Sequence, residues 1–311
     1  MKIVFLETDT LGDDVNISRF SELGDVVTYN LTKKDQIPER IADADIVIIN
    51  KLPMNAETLK EADKLKLICL TATGTNNIDF AYTEKRGIVV KNVAAYSTES
   101  VVQHTFAMLF YLYEKLAYYD NYVKSGQYAY APFFCHIEEK FNELSGKTWG
   151  IIGLGTIGKR VACVARAFGA NVVYYSTSGK NHDNEFKEVS LDTLLSESDI
   201  VSIHAPLNEN TNNLINRDTL SKMKKTAYLL NLGRGPIVNE KDLYDALCEG
   251  KIAGAALDVL STEPMSKDNP LINVKDSKKL LITPHIAWAT IEARERCVDR
   301  VYDNVKTFLN K

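Results

Sequence analysis

Three glycines in the middle of the chain, Gly153, Gly155 and Gly158, form a GxGxxG array directly behind the apolar run Trp149 to Ile152. A strand, a tight glycine turn and a following helix are the parts of one βαβ unit, so the array commits this half of the chain to a parallel α/β sheet. Gly153 permits the turn, Gly155 lets backbone approach a pyrophosphate, and Gly158 lets the helix pack close to its strand. Thr156 and Ile157 open that helix, where free N–H groups and the positive dipole end suit an anion. The same array also occurs at turns that bind no dinucleotide, so its chemistry rests on what stands beside it.

Short apolar runs alternate with helical stretches along the whole chain. Residues 3–6, 46–49, 67–70 and 88–90 form a first set of strands. Residues 148–152, 171–175, 199–204, 226–231, 252–258 and 280–283 form a second set, and its six strands would complete a doubly wound parallel sheet. The class is therefore α/β with two Rossmann-like domains, which suits 311 residues. Between the sets, Ser97 or Thr98 can cap a long helix with Val101, Met108, Leu109, Leu112 and Leu116 at helical spacing, a natural bridge between domains. Residues 118–141 are aromatic and irregular, too apolar for a free loop, and are expected to pack on a second subunit in a homodimer. The last segment, 292–309, puts Cys297, Val301, Val305 and Phe308 on one helical face and is expected to return to the first domain. The expected boundaries are 1–97 with 290–311 for a discontinuous domain, and 98–289 for the other.

Lysines and arginines are scattered and the formal net charge is −4. This argues against a nucleic-acid footprint or a polybasic membrane patch and favours small-molecule chemistry. Cys69, Cys135, Cys163, Cys248 and Cys297 are widely spaced without a CxxC pair, as expected of reduced thiols in a cytoplasmic protein with no metal site. The apolar start soon meets Glu7 and Asp9, unlike a signal peptide, and no apolar run reaches membrane-spanning length.

Three ionisable residues stand where chain leaves strand in the second domain: Arg234, Glu263 and His285. In an open parallel sheet, ligands sit beyond the carboxyl ends of the strands, which is also where the glycine turn lies. A guanidinium can clamp a carboxylate and polarise a neighbouring carbonyl. An imidazole can exchange a proton with a hydroxyl or carbonyl, and a carboxylate at its other nitrogen would fix the tautomer. Taken singly, each could be an ordinary loop residue. Three strand ends beside a dinucleotide turn make an acid/base pair with an anion clamp the better reading.

The order Gly153-Leu154-Gly155-Thr156-Ile157-Gly158, Asn231-Leu232-Gly233-Arg234-Gly235, Asp258-Val259 with Glu263-Pro264, then Thr283-Pro284-His285 resembles the D-isomer-specific 2-hydroxyacid dehydrogenases over essentially the whole chain. The resemblance implies hydride exchange between a nicotinamide and C2 of a small 2-oxo or D-2-hydroxy acid, with Arg234, Glu263 and His285 as catalytic residues. It implies a substrate domain built from both termini and a dinucleotide domain between them. It also implies cofactor contacts from Ala205, Pro206, Leu232, Gly233 and Asp258, and substrate contacts from Arg234 and His285. Thr71 to Asp79 looks like the family's carboxylate loop, with Thr73 and Gly74 receiving the substrate anion; a glycine turn after a strand is itself a plausible anion nest. Ala72 to Asn77, Ser100 to Ala107, and Phe133-Phe134 are similar to the glycerate dehydrogenase or hydroxypyruvate reductase branch. The resemblance extends to C-terminal-binding-protein relatives, which leaves a dinucleotide-sensing corepressor without turnover as the alternative.

One position departs from the pattern. Where a carboxylate normally accepts the adenosine ribose hydroxyls, this chain has Ser176, followed by Thr177, Ser178 and Lys180. Without the acid there is no repulsion of a 2′-phosphate, and the hydroxyls with Lys180 could bind one, so use of both NAD(H) and NADP(H) is expected. Of the other histidines, His104 reads as a residue of the long helix that is packed or at a domain seam rather than catalytic, and His204 as a neighbour of the cofactor.

Overall fold

The computed structural model describes residues 1–180 and 182–310. The chain divides into two compact units, Met1–Ser97 with Trp288–Lys311, and Thr98–Ala287.

The first unit carries strands β1 (Lys2–Phe5), β2 (Asp25–Thr28), β3 (Ile46–Ile49), β4 (Leu67–Leu70) and β5 (Val89–Lys91), with helices α1 (Ile37–Ile41) and α2 (Phe80–Lys85). All pair in parallel in the order β2-β1-β3-β4-β5. Every residue of β3 and β4 is buried, as expected of central strands covered on both faces. Strand β2 has no counterpart among the expected segments. It is an edge strand with exposed ends at Asp25 and Thr28 and only Val26 and Val27 half-buried, so it lacks the apolar run that marks its neighbours.

In the second unit, helix α3 (Thr98–Tyr113) buries Val101, Phe106, Met108, Leu109 and Leu112. The single helix expected to include Leu116 ends instead at Tyr113, and the chain turns at Lys115, whose backbone is left-handed at φ +59°. The Lys115 ammonium donates to the Tyr228 hydroxyl at 2.7 Å, and the chain restarts as α4 (Leu116–Lys124) with Leu116 exposed. Part of the segment expected to be irregular is therefore helical.

The second sheet follows: β6 (Thr148–Ile152), β7 (Asn171–Tyr175), β8 (Lys187–Glu188), β9 (Ile200–Ile203), β10 (Tyr228–Asn231), β11 (Gly254–Leu257) and β12 (Leu280–Ile282). Helices α5 (Thr156–Ala167), α6 (Leu191–Glu197), α7 (Arg217–Lys222) and α8 (Glu240–Cys248) connect them. The order β12-β11-β10-β9-β6-β7-β8 has seven strands among the described residues, one more than expected, because the two polar residues of β8 extend the edge by backbone pairing with β7, joined by the Tyr174 hydroxyl donating to Glu188 Oε2 at 3.2 Å. The chain winds outward from β6 through β7, then crosses to β9 and winds the other way. The switch point lies between β6 and β9, where a doubly wound sheet opens its ligand crevice. One face packs on α3 and α5 around fully buried Trp149, whose ring lies 4.9 Å from Phe106 and whose Nε1–H donates to Ser202 Oγ at 2.8 Å. The other face packs on α6, α7 and α8.

The final helix, α9 (Ile291–Leu309), belongs to the first unit. Its buried face of Ala293, Cys297, Val298, Val301 and Val305 joins the core of β1, β3 and β4, and Tyr302 meets Phe20 edge-on at 5.4 Å. Among the described residues, no helix is long and apolar enough to cross a membrane.

Candidate active site

The glycine turn leaves β6 at Gly153, which is left-handed at φ +91° and would set a Cβ 2.9 Å from Ala205, the second residue beyond β9. A Cβ at Gly158 would run into the Gly153 carbonyl oxygen. These two glycines are therefore demanded by the protein itself: one by the turn and the strand beside it, the other by the helix packing on the turn. Gly155 differs, since a Cβ there would meet nothing within 4 Å. Gly155 is the N-cap of α5, and Thr156 and Gly155 are exposed with Ile157 half-buried and Gly158 buried. The first-turn N–H groups of α5 thus lie beside an open approach, which fits a dinucleotide pyrophosphate.

At the end of β7, Ser176 is 7% exposed and its Oγ has no hydrogen-bond partner among the described residues. A buried hydroxyl without a partner is costly, and a ribose hydroxyl at this strand end would satisfy it. Thr177 is half-buried, and Ser178 and Lys180 are exposed. Beyond β9, His204 Nε2 lies 3.1 Å from Ser202 Oγ, while its Nδ1 is buried without a partner among the described residues. Burial pushes its pKa down to about 3, so the imidazole is neutral. Ala205 is buried and Pro206 exposed.

Arg234 follows β10. Asn231 closes the turn around it, with Oδ1 accepting from Gly233 N–H at 3.1 Å and Nδ2 donating to the Arg234 carbonyl at 3.0 Å. Leu232 and Gly233 are buried, and a Cβ on Gly233 would lie 2.8 Å from the Ala205 carbonyl oxygen. On the other side, Gly235 presses against the backbone of Leu260 and Ser261 so closely that any Cβ would collide. The two glycines let the segments after β9, β10 and β11 touch backbone to backbone, with the half-buried Arg234 between them.

Glu263 and His285 meet directly: His285 Nδ1 lies 2.7 Å from Glu263 Oε2, and Glu263 Oε1 accepts the Leu260 N–H at 2.9 Å. The carboxylate makes Nδ1 the donor and leaves Nε2 to exchange protons. His285 itself is held at φ +56°, uncommon for a residue with a side chain.

Asp258, expected among the cofactor contacts, is 2% exposed with its carboxylate already engaged. Oδ1 accepts from Ile286 N–H at 2.9 Å and the Thr283 hydroxyl at 2.6 Å, and Oδ2 accepts from Ala287 N–H at 2.9 Å. Its visible work is to staple the segment that carries His285. His104, expected to be packed or at a domain seam, lies 3.0 Å from Thr283 Oγ1. On α3 it stands one turn after Ser100, whose hydroxyl donates to the Ala287 carbonyl at 2.6 Å, and nothing in the sequence marks either contact.

In the first unit, Thr73 is exposed and Gly74 half-buried on the segment after β4. Thr73 is tied down by Oγ1 donating to the Val93 carbonyl at 2.8 Å and by Asn92 Nδ2 donating to its own carbonyl at 2.7 Å. The N–H groups of Thr73 and Gly74 donate to no group among the described residues, which fits a role in holding an anion.

The family model described as D-isomer specific 2-hydroxyacid dehydrogenase, NAD binding domain, matches residues 106–287. A hydroxypyruvate reductase of Blautia hydrogenotrophica is 38% identical over 99% of this chain and 97% of its own length. A glycerate dehydrogenase of Methylorubrum extorquens is 37% identical over 99% and 96%. Among solved structures, a D-lactate dehydrogenase of Aquifex aeolicus complexed with NAD and lactic acid superposes with a TM-score of 0.86, at 30% identity over 99% of this chain and 95% of that one.

Proposed function

The chain belongs to the D-isomer specific 2-hydroxyacid dehydrogenase family, and on that premise we propose that it is a hydroxypyruvate reductase, interconverting hydroxypyruvate and D-glycerate with NAD(H) or NADP(H). The 2.7 Å contact between His285 Nδ1 and Glu263 carries the mechanistic part of this reading. The bound dinucleotide supplies the hydride for C2 of the oxo acid. His285 Nε2 gives its proton to the oxo oxygen, and takes one from the hydroxyl in the reverse direction. Glu263 holds the Nδ1 proton and stabilises the imidazolium. Arg234 clamps the carboxylate and polarises the oxo group. On the first unit, the N–H groups of Thr73 and Gly74 are the groups suited to hold an anionic carboxylate. Gly155 to Gly158 receive the pyrophosphate, and Ser176 to Lys180 the adenosine ribose.

Initial rates on hydroxypyruvate, glyoxylate, pyruvate and 3-phosphohydroxypyruvate, each with NADH and NADPH, test the reading. Hydroxypyruvate should give the highest kcat/KM, and a better substrate among the others would replace it. Binding of dinucleotide without turnover on any of them would favour the sensing alternative, which the enzymes among the relatives do not support.

The partner is a second copy of this chain. The segment after α4 is folded on itself, with His136 stacked on Tyr122 at 3.7 Å and Tyr128 donating to the Phe134 carbonyl. Yet within eight residues it leaves Tyr130, Phe133, Phe134 and Ile137 each exposed, Phe134 at 87%. Light scattering on the purified protein should return twice the chain mass, and Phe134→Glu should halve it. Cys69 and Cys297, whose thiols burial pushes up to about 12, and three further free cysteines suit a cytoplasmic location.

A further inference from the structure

The loop that carries His285 is held from below by a chain of polar groups ending on α3. Asp258 engages three consecutive backbone amides: its carbonyl oxygen accepts from His285, Oδ1 from Ile286 and Oδ2 from Ala287, each at 2.9 Å. Such a clamp can hold a residue at φ +56° only while the carboxylate itself stays in place. The carboxylate is 2% exposed, so its position is set by protein donors. One of these is the Thr283 hydroxyl, 2.6 Å from Oδ1. A hydroxyl has one proton, and an ionised carboxylate at that distance takes it in preference to Met108 Sδ at 3.9 Å. Thr283 Oγ1 must then accept from its remaining neighbour, His104 Nε2 at 3.0 Å, which fixes Nε2 as the protonated nitrogen of His104. The same nitrogen lies 3.6 Å from Asp258 Oδ1. One turn earlier on α3, Ser100 holds the far end of the loop through the Ala287 carbonyl.

We propose that His104 is a positioning residue for the reaction: acting through Thr283, it holds the Asp258 carboxylate in the orientation that seats His285. The proposal rests on the assignment of His285 as the proton-exchanging group. His104 touches none of the reacting atoms in this scheme. Its effect falls on the alignment of the imidazole, where misplacement by about 1 Å can cost on the order of a hundredfold in rate.

The test compares His104→Leu, which removes the donor, with His104→Gln, whose amide Nε2–H can replace it. In hydroxypyruvate reduction, His104→Leu should lower kcat by at least about fivefold, on the order of 10- to 100-fold, with the NADH dissociation constant within about threefold of wild type. His104→Gln should recover kcat to within about threefold. Thr283→Val removes the intermediate hydroxyl and should reproduce the loss, which keeps the test open should the leucine variant fail to fold. Together with His104→Leu it should do no more damage than the worse single change. A smaller loss in the leucine and valine variants, equal loss in the leucine and glutamine variants, or additive losses would overturn the proposal. A wild-type protein with no turnover on any 2-oxo acid would instead remove the functional reading, and this inference with it.

Discussion

The carbonyl oxygen of Asp258 accepts the backbone amide of His285 at 2.9 Å, so the residue after β11 fixes the main chain of the third residue beyond β12. The imidazole is then held a second time, from its side chain, by Glu263. Backbone and ring are anchored by two residues of the one segment that follows β11.

Replacing His285 by Ala should lower kcat for hydroxypyruvate reduction by about 10²- to 10⁴-fold. Dinucleotide affinity, read by fluorescence titration, should change little, because the imidazole lies away from the glycine turn in the scheme above. Near-normal turnover in this variant would remove His285 from the mechanism.

Gly155 and Gly235 should respond to alanine in opposite ways. Gly155 has room for a Cβ, so Gly155→Ala should keep its melting temperature within about 2 °C while weakening NADH binding about tenfold or more. Gly235→Ala forces the Arg234 turn off the Leu260 and Ser261 backbone and should lose about 3 kcal/mol or more in urea unfolding. Equal stability losses would show that the close contact at Gly235 is not what demands a glycine there.

The buried hydroxyl of Ser176 should set cofactor choice. Wild-type kcat/KM values for NADH and NADPH should lie within about a thousandfold of one another. Ser176→Asp should shift the ratio toward NADH by at least about tenfold, through repulsion of the 2′-phosphate. An unchanged ratio would place selectivity elsewhere.

His204 should make the protein sensitive to mild acid. Its pKa falls to about 3 in the folded state, below the unfolded value, so the unfolded chain binds the extra proton. Stability is full above the unfolded pKa and is lost as pH falls from about 6.5 toward 3. Urea unfolding of the wild type at pH 8 and pH 5 should therefore show a loss larger than that of His204→Gln by about 2 kcal/mol. Parallel losses in the two proteins would show that His204 does not stay neutral when folded.

What the sequence made visible follows from how each feature is encoded. Strands β3 and β4 are uninterrupted apolar runs because both faces are covered, and such runs are legible. Strands β2 and β8 are edges made by backbone pairing, which leaves little trace in side-chain type. The break at Lys115 was hidden for a similar reason: a left-handed turn at a lysine has none of the glycine or proline marking usual for helix ends. Glu263 and His285 stand next to prolines at recognisable strand ends, and their pairing could be anticipated from residue type. The support beneath them could not. Thr283 is 25 residues from Asp258 and 179 from His104, and a threonine or histidine in an apolar context carries no mark of so distant a partner.

The contacts at Gly233 and Gly235 have a consequence for how this site can change. Side-chain interfaces can drift by compensating substitutions, one residue growing as its neighbour shrinks. Where main chain meets main chain there is nothing to trade. The segments bearing Arg234 and Glu263 therefore form an indivisible block, and new substrate preferences would have to arise in the surrounding walls while that block is inherited whole.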